Sequence, residues 1–245
     1  MLKKIFIILA IIMPINCYAY ECDQKIDSIS EEYNIPIFCQ DFSDIKNKDI
    51  ITFNRAEHDL IKKVDTPLYT FFHSFNKLML NKYLKKIYLV KDLKLRNTDV
   101  GGLSDGSIIY VCLDNFNSLE TAVYLNVLHH EFSSAIFRRL DPEKKFLWRS
   151  ITGKYISNKE FFKKCLEDIS FAKSSTMQDL ENGILRNYSL TNAENDFNVF
   201  AETLFVDPDK IKTLSIKYQK IKDKLNLVKQ SYIDAGYMKK FPDDT

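Results

Sequence analysis

His129-His130-Glu131-Phe132-Ser133-Ser134 sets imidazoles beside a carboxylate in the middle of an apolar segment. In the pattern H-E-x-x-H, two histidines one helical turn apart grip a zinc ion. The glutamate beside the first takes a proton from the metal-bound water. His130 and Glu131 fill the first two positions, and Ser134 stands where the second histidine belongs. A hydroxyl is a poorer neutral zinc ligand than an imidazole, and catalytic zinc sites usually draw on three protein ligands. Read as structure alone, His130-Glu131 is a buried polar pair on an apolar helix. Ser133 and Ser134 lack the G-x-S-x-G turn that exposes a serine nucleophile.

A second segment, Tyr188 to Glu202, carries Glu194, Asp196 and Glu202 close together. It has a structural reading as well, because Thr191-x-x-Glu194 is a capping box for the helix that follows. Tyr188 is one of 13 tyrosines and can equally be a core residue. His129 sits about 100° around the helix from His130, in reach of a supporting role or of plain packing. His58 and His73 lie upstream, and nothing in their spacing makes either the missing ligand.

The pairing of the two segments resembles gluzincin-type, zincin-fold zinc metallopeptidases, in which a glutamate from a downstream helix completes the metal site. It also resembles exported bacterial proteins that join HHEFSS to ENDFN. The resemblance spans roughly 56–237. It implies zinc as cofactor, with His130 as the first ligand and Glu194 as the third, Asp196 and Glu202 being its neighbours. It implies Glu131 as general base and Tyr188 as the group that steadies the oxyanion. Those four residues are then expected to converge in one cleft, with Ser134 facing the metal position through a gap or a water. The implied activity is hydrolysis of peptide bonds. The alternative is a catalytically inactive relative that binds a peptide or protein partner in the cell envelope, and Ser134 favours it. A third reading makes His130-Glu131 a polar cluster of a structural protein.

Met1 to Ala19 reads as an export leader: a basic start, an apolar run from Ile5 to Met13, and a small residue at Ala19. The run is shorter than the roughly 20 residues that span a bilayer. Cys17 as an acylated residue is the other reading, against which Pro14-Ile15-Asn16 makes a poor lipobox. A periplasmic or secreted location follows. With Lys3 and Lys4 removed, basic and acidic residues balance. No basic stripe with interleaved aromatics points to nucleic acid, and no later segment reads as a membrane span. Of the four later cysteines, Cys22 and Cys39 are expected to pair in an oxidising compartment. Cys112 reads as a buried thiol.

The elements that must position these groups are mostly helical. The fold expected is α+β and zincin-like, with a small β-sheet ahead of the motif helix. The domain is drawn over 56–245, behind an N-terminal extension at 20–55. Asn54-Arg55-Ala56-Glu57 reads as a capped helix start for 56–64. Further helices are expected over 67–85, 117–140, 142–149, 158–171, 177–186, 193–205 and 208–235. Strands are expected at 87–90 and 106–113, with a turn at 99–102.

Overall fold

A computed structural model describes residues 22–43, 45, 51–114, 121–168 and 170–244. The leader read over 1–19 lies outside them, as do the acylation reading of Cys17 and the opening of the motif helix at 117–120.

One mixed sheet and eleven helices build the molecule described. The sheet is organised on a ten-residue strand, β3 (Lys86–Leu95). Its first half is flanked by β1 (Ile37–Phe38) and β6 (Ile108–Cys112), both parallel to it. Its second half pairs antiparallel with β2 (Ile51–Arg55) and β4 (Thr98–Asp99). β5 (Gly102–Asp105) pairs antiparallel with β6 and forms the edge of the sheet among the described residues. Successive side chains of a strand point to opposite faces. Ile87 and Leu89 therefore enter the main core with Ile109 and Val111, while Tyr88 and Val90 join Tyr110, Cys112, Phe42 and Ile51 in a second, smaller core. Burial on both faces explains why this strand reads as a continuous apolar run.

The described residues between 22 and 55 contribute to this sheet and its cores. α1 (Gln24–Tyr33) buries Ile26, Ile29 and Tyr33 in the main core, and β1 and β2 pair with β3. Cys22 and Cys39 form a disulfide with their Cα atoms 5.4 Å apart. Asn54 and Arg55 are strand residues, which corrects the capped start expected there. Asn54 bonds to Asp92 across the sheet, and α2 (His58–Lys62) begins after Glu57 with no side-chain cap.

The helix expected over 67–85 is two helices. α3 (Asp65–Ser74) stops at Phe75, whose backbone is extended, and Asn76 then caps α4 (Lys77–Tyr83) by accepting from Met79 N at 2.9 Å. The turn expected at 99–102 lies earlier, at Arg96 and Asn97, both with positive φ. The strand expected at 106–113 is Ile108–Cys112, starting later because Gly106 at φ 69° turns β5 into β6.

α5 (Thr121–Arg138) carries the His-Glu motif across the sheet. α6 (Pro142–Thr152) follows, capped by Asp141 and opened by Pro142. α7 (Asn158–Glu167) and α8 (Met177–Glu181) are shorter than expected. α8 ends before Gly183, whose φ of 76° takes the chain out of helical geometry. α9 (Ala193–Val206) lies along α5. The last expected helix is also two, α10 (Pro208–Lys217) and α11 (Gln219–Asp234), separated at the extended Tyr218. Among the described residues no helix is long and apolar enough to cross a membrane.

Candidate functional site

The contact of α5 with α9 joins the two motif segments. Leu128, Phe132 and Ile136 of α5 and Phe197, Phe200 and Leu204 of α9 enter the core and fix the two helices side by side. Their polar positions then meet. His130 Nδ1 lies 2.9 Å from Glu202 Oε2, and Glu202 Oε1 lies 2.6 Å from Arg186 Nη1. Burial works against the His130 imidazolium, but the Glu202 hydrogen bond and the charges of Glu131 and Glu202 outweigh it. The pKa of His130 is raised. The Tyr188 ring stands 5.7 Å from that of His130, and the Arg186 guanidinium lies 5.6 Å from the Tyr188 ring centre.

Glu131 is partly buried on the same helix, and burial pushes its carboxyl up to about 7, against the lowering influence of His130 and Arg138. Glu194 and Glu202 are close enough to raise it further. Burial, with Glu131 next in effect, drives the Tyr188 hydroxyl up to about 12. His130, Glu131, Glu194, Glu202 and Tyr188 thus form one electrostatic cluster.

The edge strand comes close to it through Gly102. A Cβ there would sit 2.5 Å from Val127 Cγ1 and 2.9 Å from Glu131 Oε1, so only glycine lets β5 lie this near the carboxyl. Arg138, in the last turn of α5, ties three walls together. Its Nη1 donates to the Ser104 carbonyl of β5 at 3.0 Å, and its Nη2 lies 2.8 Å from Glu194 Oε1.

Glu194 does not cap its own helix. Asn192 is the N-cap of α9 and accepts from Asn195 N at 2.8 Å. Thr191 instead donates to the Tyr188 carbonyl. Asp196 turns to the opposite side of α9 and is fully buried. Its Oδ2 accepts from Trp148 Nε1, Thr152 Oγ1 and Tyr155 OH, each at 3.0 Å, and from Lys224 Nζ at 2.6 Å. That network joins α6, α9 and α11 and makes Asp196 a structural residue. His129 is buried among Phe71, Phe75 and Phe205 with neither ring nitrogen bonded. His73 stacks on Tyr69 and His58 opens α2, so neither stands in for the missing imidazole.

Ser134 faces protein, not a gap. Asn198 Nδ2 donates to its Oγ at 2.7 Å, and Asn198 Oδ1 lies 2.6 Å from Ser133 Oγ. Asn198 therefore holds both serines. Among the described residues no three His, Cys, Asp or Glu side chains converge so as to hold a metal ion. The second imidazole position is a serine bonded to an amide, and Glu194 is committed to a guanidinium. This donor set does not fit zinc. A separate surface cleft of about 420 Å³, lined by Asp41, Phe42, Ser43, Phe53, Asn54 and Arg55, shares no residue with the cluster.

The arginines were the functional residues that sequence reading missed. Arg138 falls seven positions after Glu131, two turns along the same helix face, and that spacing is the one signal the sequence offers for it.

No protein-family model and no curated protein matches the chain. A solved structure does. It is a Bacteroides caccae protein whose description proposes a zinc-binding metallo-peptidase, with a TM-score of 0.54 and 14% identity, covering 87% of this chain and 85% of that one. At that identity the likeness shows a shared fold, α+β and zincin-like.

Proposed function

We propose that this protein binds an extended peptide segment along the edge of β5, beside Glu131 of α5, without a resident zinc ion. The observation that carries the reading is the commitment of the site's own donors: Ser134 to Asn198, Glu194 to Arg138, and Glu202 to His130 and Arg186. An exposed sheet edge offers main-chain donors and acceptors to an added strand. The close approach of Gly102 to Glu131 puts a carboxyl beside that edge. A carboxyl titrating near 7 donates to a peptide carbonyl when protonated and accepts from a peptide N–H when ionised. Its neighbours His130 and Tyr188 widen the polar wall. The disulfide and the leader-like N-terminus support export, and the proposal takes the partner peptide to be outside the cytoplasm.

Random-peptide display against the native chain tests this. The reading expects enriched sequences whose binding is lost in Gly102→Val, which pushes the edge strand away from Glu131, and no cleavage of those peptides with added zinc. Zinc-dependent cleavage abolished by Glu131→Gln would overturn it.

That outcome would establish the second reading, peptide hydrolysis. It is favoured by one observation, the position of Glu131 beside His130 and Tyr188 with its pKa at about 7, where a general base works best.

A further inference from the structure

Three carboxylates and three cationic or protonatable groups share the cluster. Glu194 faces Arg138 at 2.8 Å, Glu202 faces Arg186 at 2.6 Å, and His130 bonds Glu202 at 2.9 Å. Two arginines from separate elements thus hold the two carboxylates that flank the His-Glu motif. Arg138 comes from the end of α5, and Arg186 from the segment just before Tyr188. A guanidinium is always charged, and its planar fork matches a carboxylate. A divalent cation would place the same kind of positive charge against the same carboxylates.

We infer that Arg138 and Arg186 replace a metal ion in charge, so that the cluster is balanced by the chain itself and excludes a cation. The inference rests on the zinc-free reading of the site. It adds that Ser134 is not the only barrier to metal binding. A cation at Glu194 would stand against the Arg138 charge that already bonds its Oε1, and Arg138 is held there from a second side by the Ser104 carbonyl. Its side chain is 42% exposed, so replacing it opens no core cavity. Arg186 is the more enclosed of the two, and its carboxylate also holds the His130 ring in place. Arg138 is therefore the residue to change.

Zinc alone is the probe, followed by calorimetric titration and native mass spectrometry of intact chains. The native protein, Ser134→His, and Ser134→His with Arg138→Lys should show no stoichiometric zinc. Ser134→His with Arg138→Met should bind zinc at least about tenfold more tightly than Ser134→His alone. Equal affinity in those last two variants overturns the inference, as does failure of the Arg138→Met pair to gain affinity while its unfolding transition stays cooperative. If position 134 does not tolerate histidine, Arg138→Met and Arg138→Lys are compared in the otherwise native chain. A gain in the first alone supports the inference, and equal affinities sink it. One tightly bound zinc in the native protein removes the parent reading as well. A failure confined to the variants leaves the peptide-binding reading standing.

Discussion

Glu202, 72 positions beyond His130, holds His130 Nδ1 at 2.9 Å and turns its other oxygen to Arg186. The pair fixes the ring and favours the imidazolium, so the folded-state pKa of His130 lies above its ordinary value of about 6.5. A raised pKa contributes stability that is fully present below the ordinary value and lost as pH rises through the folded one. Glu202→Gln should therefore cost more stability near pH 5.5 than near pH 8.5, by about 1–3 kcal/mol at the lower pH. Urea unfolding at the two pH values measures this. Equal losses would mean that the bond does not favour the charged ring.

Glu131 acts on alkaline stability in the same direction. Its carboxyl binds a proton more tightly in the folded chain, at about 7, than in the unfolded one. Its contribution is complete below the ordinary carboxylate range of about 4.3 and falls away as pH rises through 7. Glu131→Gln should equal the native protein near pH 4 and exceed it in thermal stability at pH 8. A variant less stable than native at pH 8 would show that the ionised carboxylate makes bonds that offset its burial.

His129 sits at 0% exposure with both nitrogens unbonded, stacked on Phe205 at 4.8 Å, and burial drives its pKa down to about 3. An unsatisfied buried polar group costs about 1–3 kcal/mol. His129→Phe keeps the stacking and removes the orphaned nitrogens, so it should raise the melting temperature. A loss of stability would reveal a partner for that ring.

Gly102→Ala tests the close approach of β5 to α5. The added methyl meets Val127 and Glu131 at sub-contact distances, and overpacking of this kind costs about 1–3 kcal/mol. Thermal unfolding should show that loss, and amide exchange at 102–105 should speed up as the edge strand moves away. Unchanged exchange would mean that the strand has room to spare.

The motif helix, the α9 helix and the Cys22–Cys39 bridge were legible because each is local. They rest on an apolar run, a run of helix formers, and two cysteines 17 positions apart. Helix breaks were harder to read. Asn76 and Tyr218 interrupt patterns that periodicity alone carries through, and Asn192 caps α9 one residue after the threonine the capping-box pattern selects. Asn54 has the composition of a cap, but its bond partner Asp92 lies 38 positions away in β3. The site shows the same limit. His130, Glu131 and Glu194 announce themselves by motif, and Tyr188 stands beside them. Arg138 is signalled only by its seven-residue spacing from Glu131, Arg186 and Asn198 belong to no spacing pattern, and all three acquire their partners only in the folded chain.

Metal analysis of the native chain, purified without chelators and equilibrated with zinc at neutral pH, decides whether the His130–Glu131 cluster works without zinc. Zinc is expected at far below one ion per chain. One zinc ion retained per chain, and lost in His130→Ala, would contradict it.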